Sequence, residues 1–210
     1  QYDRSGSPIM VEGEPLIYTR EIHSIDNPGC YPFEGARLIK YEILPGDFGT
    51  SYDDIPFFRL ADAYMIKAEC LLRLGGYNGE TEQTAADLVT AVRQRAFKDN
   101  PAKAVRTVAQ LKGGSVYEYG YRENQGKMGE EDIWITTNEG GEDIELGGLL
   151  DDLAWEFVAE HHRRQDLIRF RINGSNQNVY NGKSWFSKRA KTDPTDNHCD
   201  IFPIHKTFLD

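Results

Sequence analysis

The chain has 210 residues, of which 39% are hydrophobic, and this length can bury a core that needs no disulfide or metal for its stability. Its 34 acidic and 24 basic side chains give a formal net charge of −10, which argues against a nucleic-acid-binding protein. No apolar run approaches the roughly 20 residues that a membrane-spanning helix needs. The first residues, QYDRSGSPIM, also lack the basic start and apolar stretch of a secretory signal.

Residues 1–55 have the composition of irregular chain, because prolines interrupt them repeatedly, and the segment 38–43 is the best candidate for a strand there. The three cysteines form no CxxC pair, which excludes the usual zinc and thioredoxin-like motifs. Cys30 and Cys199 both lie in loop-like sequence, and a disulfide between them is one hypothesis. Cys70 falls inside a helical pattern, where we expect it to be a small buried apolar residue.

The first strong helical signal covers residues 56–74. Pro56 suits the first helical position, and Gly75-Gly76 ends the pattern. Apolar residues cover a wide arc of this helix, and charged residues form a narrow stripe between them: Arg59, Asp62, Glu69 and Arg73. We therefore expect the helix to be buried nearly all round. Its charges then need partners, and we expect Asp62 or Glu69 to pair with Arg95, Arg163 or Arg164.

A second helix is predicted over residues 80–97, with a clean apolar stripe through Ala85, Val89 and Val92. The short Gly-Gly-Tyr-Asn-Gly turn predicts that the two helices form an antiparallel hairpin over 56–97, similar to one tetratricopeptide unit. Residues 98–148 suggest a β-hairpin with a long loop. A third helix is predicted over 149–170, and the tail 171–210 is loop-like.

Four segments stand in the order and spacing of motifs of the SusD/RagB family. These segments are RLADAYMIKAECLLRLGG at 59–76, AVRQRA at 91–96, EFVAEHHRRQDLIRF at 156–170 and IFPIHKTFLD at 201–210. Thr90 stands where the family usually has Asn, and His205 replaces the second Pro of its F-P-I-P motif. The whole chain, 1–210, thus resembles the C-terminal portion of a SusD-like protein.

The resemblance implies a mainly α fold, in which a tetratricopeptide-type hairpin packs against a further long helix, with long loops and short β-strands. It also implies a non-catalytic, cofactor-free lipoprotein on the surface of a Gram-negative outer membrane. Such a protein binds oligosaccharides for nutrient uptake together with a TonB-dependent, SusC-like transporter. The signal peptide, the lipid-bearing cysteine and most tetratricopeptide helices are expected outside this chain.

Three constellations could carry other chemistry. Glu156 and Glu160 lie one helical turn apart and could suggest a glycosidase pair, but neighbouring arginines favour a structural role. His161-His162 could suggest a metal site, yet on a helix His161 would face the apolar side and His162 solvent, and HExxH is absent. Asp193, Asp196, Asn197 and Asp200 offer calcium ligands without the EF-hand spacing. A glycoside hydrolase and a helical-repeat protein-binding module therefore stay open as alternatives.

Aromatic residues in polar segments are the best candidates for ligand contacts, since sugar C–H faces stack on flat rings. The candidates are Tyr117, Tyr119, Tyr121, Trp134, Trp185 and Phe186. The three tyrosines alternate, so in a strand they would share one face. Each ring could instead anchor its own loop. Trp155 lies in the third helix, and we expect it to be part of the framework.

Overall fold

The computed structural model describes residues 1–3, 5–11, 13–18, 38, 40, 56–117 and 140–183, together with the backbone of 120–123 and 135–138. The chain divides into two compact units, residues 1–56 and residues 57–210. The secondary structure is mainly helical, which confirms the predicted fold class. Within the described ranges, no helix is long and apolar enough to cross a membrane. The Cys30–Cys199 hypothesis and the acidic residues 193–200 fall outside the described residues.

The first unit contains a short antiparallel hairpin of β1 (Met10–Val11) and β2 (Glu14–Pro15). Gly13, with φ of 90°, occupies the turn between the strands, where a left-handed conformation suits glycine. Close to it, the Asp3 carboxylate accepts hydrogen bonds from the backbone N–H groups of Ser5 and Ser7.

The second unit opens with a helical hairpin of α1 (Leu60–Leu74) and α2 (Glu82–Gln94), as the sequence predicts. Gly75 ends α1 in the left-handed region at φ of 70°, and its N–H bonds the Leu71 carbonyl. Gly76 follows at φ of 108°, where a Cβ would come 2.7 Å from the Glu80 carbonyl oxygen. The turn closes through reciprocal backbone bonds between Tyr77 and Glu80.

Two expectations about α1 are wrong. The helix begins at Leu60 rather than at Pro56, because the Asp62 carboxylate accepts the Arg59 N–H at 2.8 Å and fixes the start. The helix is also not enclosed, since one whole face is exposed. That face includes Cys70, which is therefore not a buried apolar residue. Apolar composition alone gives no signal that distinguishes this open face from the buried one.

Short elements connect α2 to the rest of the second unit. A 3₁₀ helix (Pro101–Ala104) leads into α3 (Val108–Lys112), and β3 (Gly120–Glu123) pairs antiparallel with β4 (Ile135–Asn138). The paired strands confirm the predicted hairpin in the 98–148 segment. The register places Tyr121 opposite Thr137.

The predicted single helix over 149–170 is two helices, α4 (Gly147–Glu156) and α5 (Arg163–Arg169), followed by the short α6 (Val179–Gly182). Ala159 and His161 adopt positive φ values of 62° and 64° between α4 and α5. The Glu156 carbonyl, which a continuous helix would bond to the Glu160 N–H, accepts from Arg59 Nη2 at 3.0 Å instead. The Glu160 N–H bonds the Phe157 carbonyl. A contact from α1's N-terminal cap thus supports the break.

One hydrophobic core joins the helices of the second unit. The buried face of α1 (Met65, Ala68, Leu72) meets α2 through Ala85 and Val89. The same core continues through α3, α4 and α5 and includes Leu111, Leu149, Leu150, Leu153, Leu167 and Phe170. Burial of these side chains, at about 25 cal/mol per Å² of apolar surface, is the main stabilising contribution.

Candidate functional site

The site begins with two glycines that let α4 approach the segment 110–115. A Cβ on Gly147 would lie 2.1 Å from the Ser115 nitrogen, and one on Gly148 would lie 1.9 Å from the Gln110 carbonyl oxygen. Only glycine permits this distance. The close approach brings the start of the 115–117 loop against the first turns of α4.

Asp151 holds that loop. Its fully buried carboxylate accepts the Ser115 hydroxyl at 2.5 Å and the Val116 N–H at 2.8 Å, and the Tyr117 N–H donates to Ser115 Oγ. Burial raises the pKa of Asp151, whereas the Ser115 and Val116 hydrogen bonds act in the opposite direction. This buried network fixes the backbone immediately before the Tyr117 ring.

Tyr117 and Trp155 form an exposed aromatic pair. Their ring centres are 6.1 Å apart with the planes tilted by 59°, and Trp155 Nε1 donates a hydrogen bond to the Tyr117 hydroxyl. Tyr117 is 41% exposed and Trp155 is 43% exposed. We call these two residues the ring platform. Two exposed flat surfaces held by a buried network are suited to stacking on an apolar ligand face.

Two guanidiniums border the ring platform. The guanidinium carbons of Arg93 and Arg106 lie 5.4 and 5.7 Å from the Trp155 ring centre. Asp152, almost fully buried, bonds Arg93 Nη1 at 2.5 Å and Arg106 Nε at 2.6 Å, so both cations are fixed. Burial raises the pKa of Asp152, and the two guanidiniums act in the opposite direction. Arg93 also donates to the Ala104 and Lys103 carbonyls and Arg106 to the Gly148 carbonyl, so the two guanidiniums hold the Trp155 ring in place.

Of the six predicted ligand-binding aromatics, Tyr117 is described with its side chain and Tyr121 by its backbone in β3. Tyr119, Trp134, Trp185 and Phe186 lie outside the described residues and remain predictions. The strand begins at Gly120, so Tyr117 precedes it and does not share a strand face with Tyr121. Trp155, which we expect to be part of the framework, lies in α4, is 43% exposed and contacts Tyr117, Arg93 and Arg106. On α4, Trp155 lies opposite Leu149, Leu150 and Leu153 but between the buried Asp151 and Asp152, so a helical wheel alone does not predict its exposure.

The Glu156–Glu160 pair binds a cation. Arg59 donates to both oxygens of Glu160 at 2.8 Å and also bonds a Glu156 oxygen. These hydrogen bonds, first the one to Glu160, raise the pKa of Arg59. Arg95 adds two contacts to Glu156, at 2.6 and 2.8 Å. Both carboxylates thus contact one guanidinium instead of flanking a cleft, which favours the structural interpretation.

A second cross-helix ion pair joins Glu69 of α1 to Arg169 of α5. Arg169 is not among the predicted partners, which are Arg95, Arg163 and Arg164. Glu69 accepts Arg169 at 2.7 and 2.9 Å and Arg73 at 2.9 Å. Arg163, one of the expected partners, donates to the Leu150 carbonyl at 2.9 Å. Arg169 lies in the last turn of α5, where it pairs with Glu69 of α1 and with Asp166.

The burial of the two histidines is the reverse of the prediction, in which His161 faces the apolar side and His162 faces solvent. His162 is partly buried and stacks on Phe157, with ring centres 4.5 Å apart, whereas His161 is exposed. His162 Nε2 lies 3.6 Å from Asp62 Oδ1. The described residues contain no group of three His, Cys, Asp or Glu side chains that could hold a metal ion.

Comparison with known proteins shows which family the chain belongs to. The model of the SusD family matches residues 25–209, and the chain belongs to this family. It is 28% identical over 158 residues to a SusD-like protein, P25, of Formosa agariphila, covering 74% of this chain and 23% of that protein. It is also 28% identical over 156 residues to the starch-binding protein SusD of Bacteroides thetaiotaomicron, covering 71% of this chain and 20% of that protein.

The matched stretch spans only about a fifth of the length of these two relatives. No solved structure matches the chain. The matched residues include Arg59, Glu156 and Glu160, whose ion pairs join the start of α1 to the α4–α5 break, and Glu69, which pairs with Arg169 of α5.

Proposed function

We propose that this chain is part of a cell-surface protein that binds an oligosaccharide without cleaving it. The observation that carries the proposal is the family match over residues 25–209. One protein similar to this chain is named for starch binding. In this proposal the protein is a lipid-anchored component of the outer membrane and passes its ligand to a TonB-dependent, SusC-like transporter.

The ring platform is our proposed contact site within this chain. Tyr117 and Trp155 would stack on the C–H faces of sugar rings, and Arg93 and Arg106 would donate to hydroxyls. Tyr119, Tyr121, Trp134, Trp185 and Phe186 are further candidates. A site built on a few exposed rings should be weak, with a Kd on the order of 0.01–1 mM.

A panel of soluble oligosaccharides tests the function. The panel should include starch-derived maltooligosaccharides, and each sugar is titrated against the purified chain by calorimetry. The same mixtures are analysed chromatographically for shorter products after long incubation. We expect binding of at least one sugar with no product formed. Release of shorter sugars by the pure protein would contradict the non-catalytic proposal.

The helical-repeat protein-binding alternative gives a different result in the same experiment. A module of that kind would bind no member of a broad panel, even at millimolar sugar. A sugar-binding protein would show heat of binding that a ring-platform variant, Trp155→Ala, reduces. The transporter step needs a separate test: co-purification of a TonB-dependent transporter with the tagged, full-length protein from its native membrane.

A further inference from the structure

The two guanidiniums that border the ring platform differ in how many of their nitrogens are used. All three side-chain nitrogens of Arg93 donate hydrogen bonds to protein oxygens. Arg106 donates through Nε to Asp152 and through Nη2 to the Gly148 carbonyl. Its third nitrogen, Nη1, makes no hydrogen bond within the described residues. Nη1 of a guanidinium has two N–H groups, so two donors of Arg106 are unused.

Arg106 Nη1 is also open to solvent. Among the residues that the structure describes, the one buried side-chain nitrogen or oxygen without a hydrogen-bond partner is Asp166 Oδ2. Because Arg106 Nη1 has no partner and is a different atom, it is not buried. The Arg106 side chain as a whole is only 13% exposed, so its other two nitrogens hold the guanidinium in place. Nη1 therefore presents two oriented donors to a ligand.

The carboxylate that balances the two arginines does not reach the surface. The Asp152 side chain is only 1% exposed, and its two oxygens accept guanidinium N–H groups at 2.5 and 2.6 Å. One buried negative charge thus lies between two positive charges, and the Arg93 and Arg106 side chains both have a larger exposed fraction than Asp152. The border of the ring platform therefore presents positive charge to a ligand.

Other charges on α4 do not reverse this sign. Glu156, the residue after Trp155, is bonded by both Arg59 and Arg95. Asp151 is fully buried. The net charge of −10 belongs to the chain as a whole, and salt screens exposed charges beyond about 8 Å at physiological ionic strength. The contact groups at the platform therefore decide which ligand charge is favoured.

The Tyr117 hydroxyl adds a further donor. It accepts the Trp155 Nε1–H, which leaves its own O–H free to donate to a ligand. The ring platform and its border therefore suit a ligand that is rich in acceptor oxygens.

Resting on the sugar binding proposed above, we propose that the ring platform binds an acidic oligosaccharide: a uronic acid ring stacks on the platform and its carboxylate accepts hydrogen bonds from Arg106 Nη1. A carboxylate supplies acceptor oxygens and a negative charge, and it matches guanidinium N–H groups in geometry. The Arg106 guanidinium carbon lies 5.7 Å from the Trp155 ring centre, so a substituent at the edge of a stacked sugar ring comes within its reach. A neutral sugar would use the same rings and leave the positive charge without a counter-charge.

Pairs of sugars that differ only in charge test the proposal. The probes are trimers of galacturonate, glucuronate and mannuronate, each compared with its methyl ester, which keeps the sugar ring and removes the charge. Neutral maltotriose is measured alongside them. Each sugar is titrated against the full chain by calorimetry near neutral pH. At least one acid should bind about tenfold more tightly than its ester, since a charge-assisted hydrogen bond is stronger than a neutral one.

Variants locate the contact. Arg106→Gln removes the charge and should give the acid and its ester about equal affinity. The matched control, Lys67→Gln, removes a positive charge from the exposed Lys67–Glu80 pair and should leave the acid preference unchanged. Because Arg106 bonds the buried Asp152, the Tm of Arg106→Gln is measured first. Salt dependence needs no variant: added salt should weaken binding of the acid and leave the ester unaffected.

The outcomes decide the proposal. A roughly tenfold preference for an acid, lost in Arg106→Gln and kept in Lys67→Gln, supports it. Equal affinity for each acid and its ester overturns it, and binding of maltotriose or an ester in that case leaves the proposed sugar binding intact. An acid preference that Arg106→Gln retains overturns the assignment to Arg106. Absence of binding by every acid, ester and neutral sugar overturns both this inference and the proposed sugar site.

Discussion

Arg59 is the side chain whose removal should destabilise this fold most clearly. It makes four hydrogen bonds to the α4–α5 break, three to the Glu156 and Glu160 carboxylates and one to the Glu156 carbonyl. Its side chain is 22% exposed, and those of Glu156 and Glu160 are only 10% and 6% exposed, so water screens the pair weakly. In Arg59→Met, Arg95 still contacts Glu156, and Glu160 loses its two hydrogen bonds from Arg59.

Breaking one partner of a buried pair costs about 3–5 kcal/mol, and the Arg95 contact places our expectation near the lower end, at about 3 kcal/mol. For a chain of this size the expected fall in Tm is roughly 6–12 °C. The matched control is Lys67→Met, which removes the exposed Lys67–Glu80 pair and should cost about 0–1 kcal/mol. Both variants are compared by urea denaturation at equal protein concentration.

A further variant separates the charge effect from lost packing. Arg59→Met combined with Glu160→Gln removes the Glu160 charge together with its Arg59 partner, so it should recover part of the unfolding free energy that Arg59→Met loses. If Arg59→Met costs no more than Lys67→Met, the network is solvated and our assignment of the α4–α5 break to Arg59 is refuted.

Four other changes test separate parts of the structure. Glu69→Ala leaves Arg169 and Arg73 without their shared carboxylate and should lower the Tm clearly while sugar binding per folded molecule stays constant; unchanged stability would show that Glu69 is solvated. Gly148→Ala should cost about 1–3 kcal/mol or more by denaturation, since its Cβ would lie 1.9 Å from the Gln110 carbonyl oxygen. Because burial raises the pKa of Asp166 above its ordinary 3.8, the folded state binds this proton more tightly than the unfolded state, so wild type should lose stability relative to Asp166→Asn as the pH rises above about 4. The opposite trend in denaturation would contradict the burial of that carboxyl. Tyr117→Phe keeps the ring but loses the bond to Trp155 Nε1, and calorimetry should show a smaller loss of sugar affinity than for Tyr117→Ala.

Local signals in the sequence predict the helical hairpin and the charges on α1 that need partners, but not which partners they find. The Gly75-Gly76 stop, the apolar stripe of α2 and the charges on α1 act within a few residues of each other, so periodicity and capping rules identify them. The break between α4 and α5 is different. Positive φ at Ala159 and His161 is supported by Arg59, about 100 residues earlier, and no local rule contains that contact.

The ring platform shows a similar limit. Tyr117 is a sequence candidate because it lies in a polar loop, and its exposure agrees with that interpretation. The position of Trp155 in a helix predicts a framework role, and no local pattern indicates its hydrogen bond to Tyr117. Asp151 fixes the loop that places Tyr117 beside Trp155. Its contacts to Ser115 and Val116 depend on the close approach of α4 that Gly147 permits.

The most direct test of sugar binding at the ring platform is the calorimetric affinity of Trp155→Ala for the tightest oligosaccharide of the panel. Phe57→Ala is the matched control, since Phe57 is a highly exposed ring that packs on Phe58. We predict that Trp155→Ala weakens binding several-fold to about tenfold at nearly unchanged Tm, which corresponds to roughly 1 kcal/mol for a stacked ring, and that Phe57→Ala leaves the affinity unchanged. Equal affinity of wild type and Trp155→Ala would contradict the assignment of the ligand site to these rings.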